Sequence, residues 1–338
     1  VSEELRQDEH ELLARLAQRY YVDERTQEEI AREFALSRPK VQRLLERARR
    51  SGVVAIHIEA PPGLRLELES QLRETFGLSD AIVCSARADP QAQREAVAQR
   101  AARYLERRLH DGCVVAVSHG RTAGAVPRFF RPGSRLEVTF VSAMGGSPGI
   151  DAPTNPNEIC RALAAACGGR AVSLYAPAYV ESAEIRDQLL AQEAIAHSLD
   201  QAAQASVALV GIGGTDDGCT MVRSGCLTTD EIARLRSQGA VGDVLGNYVD
   251  IEGRMVASPH QSRLVALTVD HLRRIGTVVA VVSEPEKPRA ILGMLRAGVI
   301  SVLVVDEDNA RAVLDLAAGG PAMAGRAGGG SSASQREV

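Results

Sequence analysis

Apolar residues recur at helical spacing through the first fifty positions. Leu5, Leu12, Leu13, Leu16 and Tyr20 fall near one stripe and predict a helix over 4–22. A second stripe, Ile30, Ala31 and Phe34, follows Thr26. Thr26 with Glu29 three residues on forms a capping box, in which hydroxyl and carboxylate satisfy the first free backbone amides. After a turn at Leu36 and Ser37, the positions Val41, Leu44 and Leu45 predict a third helix from Arg38 to about Ser51. Ser37 is placed to cap it, and Pro39 lies in its first turn, where a missing N–H costs nothing. Gly52 stops this helix, and VVAIHI (53–58) alternates like a strand.

Pro61, Pro62 and Gly63 then punctuate the chain, and Leu66, Leu68, Leu72 and Phe76 predict an amphipathic helix over 64–77. From residue 79 the pattern changes. Short apolar runs predict strands at 81–84, 113–117, 137–141, 171–175, 206–210, 277–282 and 301–305. Helical patterns fill 91–109, 156–167, 184–199, 229–237, 261–274, 287–297 and 308–316. Apolar strands alternating with amphipathic helices predict a mostly parallel sheet covered on both faces. The expected organisation is a helical domain at 1–58, a linker helix at 59–78, an α/β domain at 79–317 and a disordered Gly/Ala/Ser-rich tail at 318–338.

Composition narrows the classes. The chain has 338 residues, enough for two domains, and lacks Trp, so its core is built from aliphatic side chains. No apolar run reaches the roughly 18 residues that span a bilayer, and the N-terminus is charged rather than signal-like; a cytoplasmic protein is expected. The six cysteines form no CxxC pair and no Cys/His ligand cluster, so no metal and no cofactor is expected. The net charge of −4 excludes a uniformly basic nucleic-acid coat, yet residues 38–50 hold six bases against one acid, Glu46. A short helix with cations in its early turns, behind a compact helix and turn, is what major-groove reading requires. Thr26, Gln27, Ser37, Arg38, Lys40, Gln42, Arg43 and Arg47 are the candidate DNA contacts, with 53–58 as the first strand of a small wing.

Gly-rich turns directly follow three of the strands, at SHGRTAGAV (118–126), SAMGGSPG (142–149) and GIGGTDDG (211–218). In a parallel α/β sheet, ligands bind beyond the strand C-termini, where glycine admits close backbone approach and helix starts offer free amides. His119 is the histidine of these turns and a candidate general base, but no carboxylate with readable catalytic spacing accompanies it.

The run TQEEIAREFALSRPKVQRLLERARRSGVVAIHI, followed in order by HGRTAGAV, MGGSPG, GIGG, GAVGDVLGNYVD and EKPRAILGMLRAG, resembles the SorC family of sugar-binding regulators over nearly all of residues 5–316. The resemblance implies a winged helix-turn-helix joined to a Rossmann-like α/β effector domain akin to the sugar-phosphate isomerase and deaminase fold. It implies double-stranded operator DNA and a sugar, polyol or sugar phosphate as partners, and a homotetramer. It places the effector site at Gly120, Arg121 and Thr122, at Gly145, Gly146 and Ser147, at Gly213 and Gly214, and at Asp243 and Lys287. A carboxylate can accept from two hydroxyls, and an ammonium at a helix start can meet phosphate or hydroxyl oxygens. One departure stands out. Where the family has a Gly-rich stretch before its lysine, this chain has Ser283, Glu284 and Pro285. The acids add negative charge and Pro285 removes a donor, which leaves an unphosphorylated sugar or polyol open beside a sugar phosphate. An isomerase- or deaminase-like enzyme on the same fold is the competing reading.

Overall fold

A computed structural model describes residues 4–55, 65–147 and 152–319. The chain divides between Pro61 and Pro62 into two compact units.

The first unit contains three helices, Glu4–Tyr21, Gln27–Glu33 and Arg38–Arg50. Leu13, Leu16, Ile30, Val41, Leu45 and Ala48 form their shared core, with Phe34, Leu36 and Leu44 packed against it. The Thr26 capping box is complete: its hydroxyl accepts from the Glu29 amide at 3.3 Å, and Glu29 accepts from the Thr26 amide at 2.9 Å. Ser37 stands at the N-cap of the third helix, but its hydroxyl makes no capping bond; its carbonyl accepts from Lys40 and Val41 instead. Val53 and Val54 pack on this core and residues 53–55 form no strand; the rest of the expected wing strand lies outside the described residues.

The second unit is built on a seven-stranded sheet. Its strands are β1 (Asp80–Cys84), β2 (Val114–Val117), β3 (Thr139–Ser142), β4 (Arg170–Val172), β5 (Val207–Gly211), β9 (Thr277–Val282) and β10 (Val302–Asp306). A smaller antiparallel sheet holds β6 (Gly213–Gly214), β7 (Gly242–Val244) and β8 (Asn247–Val249). The order of the large sheet is β1-β10-β9-β5-β2-β3-β4, with every pairing parallel. Both faces are covered, which is why β9 and β10 read as continuous apolar runs and are buried throughout. One face packs on helices Pro90–Arg108 and Pro156–Cys167, through Val97, Ala101, Leu105, Ile159 and Leu163. The other carries Leu68 and Leu72 from helix Leu66–Phe76, with Ile291 and Met294 from helix Pro288–Arg296.

Helix Leu66–Phe76, expected as a linker, is therefore a core element of the second unit. Buried Glu69 accepts the Val83 amide at 2.9 Å, an edge-strand donor that would otherwise lack a partner. Two expected helices are corrected. The 184–199 pattern is two helices, Ala183–Leu190 and Glu193–Ala203, broken at Ala191 and Gln192. The 261–274 pattern is one turn, Gln261–Arg263, and a helix, Val269–Arg274. Between them the backbone is drawn into pairing: Val265 donates to Ala178 at 2.9 Å and Leu267 to Ala143 at 2.9 Å. The expected disordered tail lies, from residue 320 on, outside the described residues. Among the described residues, no helix is long and apolar enough to cross a membrane, and no cluster of metal-ligating side chains occurs.

Candidate functional site

From β2 the chain moves to one side of the sheet, through β3 and β4; from β5 it moves to the other, to β9 and β10. Such a reversal opens a crevice beyond the strand C-termini. A small cavity, open to solvent at its mouth, lies there. The ends of β2, β5 and β9 line it, with β6 and the middle residue of β7. Of the ten effector positions read from the sequence, seven lie on its wall: Gly120, Arg121, Thr122, Gly213, Gly214, Asp243 and Lys287.

Asp243 sits at the centre of this arrangement and is buried. β7 pairs with β6 so that Asp243 stands opposite Gly213. A Cβ at Gly213 would fall 1.9 Å from Asp243 Oδ1, so the carboxylate can lie over the backbone because that position is glycine. Oδ2 accepts the Gly246 amide at 2.8 Å, while buried Oδ1 has no hydrogen-bond partner among the described residues. Burial pushes the carboxyl up to about 6, against the Gly246 hydrogen bond and the Lys287 charge, which favour ionisation.

Lys287 precedes helix Pro288–Arg296 as its N-cap and donates to the Ile212 carbonyl at 2.6 Å. Its Nζ also lies 3.2 Å from Glu284 Oε2. Glu284 is buried, and its other oxygen lies 3.4 Å from the Arg121 guanidinium. Burial alone would raise this carboxyl; Lys287, Arg121 and Arg94 outweigh it and hold it below the ordinary value. Thr122 and Ser283 join their hydroxyls at 3.0 Å. Glu284 was noted in the sequence as a charge that weakens a phosphate site; that its side chain binds both pocket cations emerges with the fold.

His119 also lines the cavity, buried, with Nδ1 2.6 Å from Met144 Sδ. Burial, aided by the Lys287 charge, lowers its pKa to about 4, so it is neutral at pH 7. No hydrogen bond to a carboxylate orients it as a base among the described residues.

The turn at 145–147 is placed elsewhere. A Cβ at Gly145 would meet the Pro177 carbonyl group at 2.4 Å; the Gly146 amide donates to the Ala176 carbonyl at 2.9 Å, and the Gly146 carbonyl accepts from the Ala178 amide at 2.7 Å. Gly146 and Ser147 line a separate cavity with Tyr179, Cys226 and Arg263, and Ser147 Oγ donates to the Ser224 carbonyl at 2.5 Å. These three residues pack the turn against neighbouring backbone and do not line the cavity that holds Asp243.

In the first unit, Arg38, Lys40, Gln42, Arg43 and Arg47 are all exposed on helix Arg38–Arg50, opposite buried Val41, Leu45 and Ala48. Gln42 donates to Glu46 at 3.2 Å, and Arg43 Nε to the Pro39 carbonyl at 3.4 Å. Thr26 and Gln27 open the preceding helix, and the Thr26 hydroxyl is engaged by its own capping box.

Comparison with known proteins bears on both units. A family model described as "Putative sugar-binding domain" matches residues 61–315. The transcriptional regulator LsrR of Klebsiella pneumoniae subsp. pneumoniae is 34% identical over 314 residues, covering 91% of this chain and 94% of that protein. The erythritol catabolism regulatory protein EryD of Brucella abortus is 27% identical over 305 residues, covering 90% of this chain and 96% of that protein. The full-length sorbitol operon regulator SorC of Klebsiella pneumoniae superposes with a TM-score of 0.71 at 27% identity, over 91% of this chain and 99% of its own. These relatives are regulators of transcription and not isomerases or deaminases.

Proposed function

The chain belongs to the SorC family of sugar-binding transcriptional regulators, and from that premise we propose that the cavity at the strand ends receives a small polyhydroxylated effector that controls binding to operator DNA. One observation carries the reading. Asp243 Oδ1 is buried, unpaired and held over Gly213 at the crevice where such sheets bind ligands. A buried acceptor left unpaired costs free energy that a ligand hydroxyl recovers. Lys287, Arg121 and Thr122 supply donors around it. The α/β unit is then an isomerase-like scaffold used for sensing.

In the same proposal, helices Gln27–Glu33 and Arg38–Arg50 form a helix-turn-helix, with the exposed early turns of the second helix in the major groove. A palindromic operator needs at least a dimer, and the family resemblance favours a homotetramer acting in the cytoplasm. The names of two relatives include sorbitol and erythritol, which makes polyols the first probes to try.

The test uses a duplex selected by the protein from a random pool, and a panel of erythritol, sorbitol, ribose and glucose with their phosphates. The expected result is that at least one compound raises the melting temperature and changes duplex affinity. Linkage requires the duplex to change that compound's affinity by the same factor, on a scale of about 1–3 kcal/mol. Asp243→Asn should lose the response and still bind the duplex. A variant that responds like the wild type removes Asp243 from the site.

A further inference from the structure

The two cations of the cavity are already engaged by the protein. Glu284 bridges them, one carboxylate oxygen 3.4 Å from Arg121 and the other 3.2 Å from Lys287. Arg94 approaches from behind at 3.9 Å. Lys287 spends a further donor on the Ile212 carbonyl. The segment that carries Glu284 is clamped on both sides: Ser283 bonds Thr122 at 3.0 Å, and the Glu284 carbonyl accepts from Asn309 Nδ2 at 2.9 Å. The carboxylate therefore stays in the cavity wall.

Part of the surrounding backbone is likewise committed or lacks a donor. The Gly120 amide, in the turn after β2, donates to the Thr154 carbonyl at 3.2 Å. Pro285 and Pro288 bring no N–H to the turn after β9. Asp243 places a second carboxylate on the same wall.

We infer that Glu284 is the specificity-determining residue of this cavity and makes it a receptor for an uncharged sugar or polyol, rejecting the phosphorylated form. A phosphate entering between Arg121 and Lys287 must either displace Glu284, leaving it buried and unpaired, or share the cations with it at like-charge distance. Both are unfavourable. An uncharged polyol meets neither penalty: its hydroxyls donate to Asp243 Oδ1 and to the outward lone pairs of Glu284, and accept from Arg121. Specificity of this kind is a built-in repulsion as much as an attraction. The inference rests on the proposal that this cavity is the effector site, and its test separates the two.

Full-length wild type, Glu284→Gln and Glu284→Ala are titrated calorimetrically with inorganic phosphate, and with the pairs ribose and ribose 5-phosphate, sorbitol and sorbitol 6-phosphate. Wild type should take up no phosphate and should prefer the uncharged member of any pair it binds. Either Glu284 variant should bind inorganic phosphate and shift the pair preference toward the phosphorylated member by roughly tenfold or more. Adding Lys287→Met to Glu284→Gln should remove the phosphate binding again. Wild type that binds inorganic phosphate, or prefers a phosphorylated member, overturns the inference. So do folded Glu284 variants that gain no phosphate affinity. If neither variant folds, the wild-type titrations decide alone. Failure of the site itself reads differently: an uncharged ligand would bind Asp243→Asn as tightly as wild type.

Discussion

Asp243 and His119 are buried in one cavity and titrate with opposite consequences. The Asp243 carboxyl, ordinarily near 3.8, is pushed up to about 6 by burial. The His119 ring, ordinarily near 6.5, is pushed down to about 4 by burial and the Lys287 charge. Between these values folded Asp243 holds a proton that the unfolded chain has lost, so its contribution to stability falls as pH rises toward 6. Over nearly the same window unfolded His119 binds a proton that the folded ring refuses, so its contribution rises with pH. At about 1.4 kcal/mol for each pH unit between folded and unfolded values, each effect is worth about 3 kcal/mol, and the two nearly cancel. Thermal melts of wild type should therefore show little net slope from this pair between pH 4.5 and 6. Asp243→Asn should unmask a melting temperature that climbs with pH, and should be more stable than wild type at pH 7. A flat profile in that variant would mean that burial does not hold His119 neutral, and a wild type whose melting temperature already climbs with pH would mean that Asp243 is ionised well below 6. Effector binding carries the complementary signature, because hydroxyl donors favour the carboxylate and affinity should weaken below about pH 6.

Elements with strong periodicity were readable because packing agrees with pattern in them. Each of the seven expected strands of the large sheet is present, as continuous apolar runs demand when both faces are buried. The β7–β8 hairpin was not read, although it carries Asp243. Its two-residue turn is Leu245 and Gly246, with φ of 54° and 77°. Such turns ordinarily announce themselves by Asn-Gly or Asp-Gly, and Leu at the first position hides the signal. The 261–274 segment failed for a different reason: its helical spacing yields to long-range pairing with residues 143 and 178, which local pattern does not encode. Seven of ten effector positions share one cavity: all but Asp243, which lies within β7, follow ends of the large sheet's strands, which topology gathers; the 145–147 turn also follows a strand end but is spent on packing against Pro177. Helix Arg38–Arg50 supports a prediction at this scale, since its buried stripe fixes which cations face outward. Arg43→Ala should weaken binding to the selected duplex by about 1–3 kcal/mol and relax preference at one base pair, if the guanidinium reads a base edge. Lys40→Ala should instead lower affinity for all sequences alike and reduce the slope of log K against log salt by about 1. Anisotropy titrations across a salt series distinguish the two, and unchanged affinity in both variants would move the reader off this helix.

At the scale of the whole molecule, sequence punctuation and packing disagree about where the second unit begins. Pro61, Pro62 and Gly63 mark a break, and the regular strand–helix alternation starts at residue 79, so a fragment cut at 79 looks self-contained in the sequence. The structure places the cut before helix Leu66–Phe76. Leu68 and Leu72 lie in the same core as Val83 and Val305, and Glu69 holds the amide of the edge strand β1. Arg65 and Glu307 join at 2.6 Å and tie the start of this helix to helix Glu307–Ala317. Deleting the helix exposes two leucines' worth of core contact and an unpaired sheet edge. Each large-to-small change in such a core costs about 2–5 kcal/mol, so the loss approaches the whole stability of a domain, about 5–15 kcal/mol. A fragment of residues 62–319 should therefore melt cooperatively and bind the effector with the affinity of the DNA-free full chain, while failing to bind the duplex. A fragment of residues 79–319 should be insoluble or melt without cooperativity. Calorimetry on both fragments decides. A stable 79–319 fragment would show that the helix is dispensable to the fold and would restore its reading as a linker; duplex binding by 62–319 would place the DNA reader outside the three-helix unit.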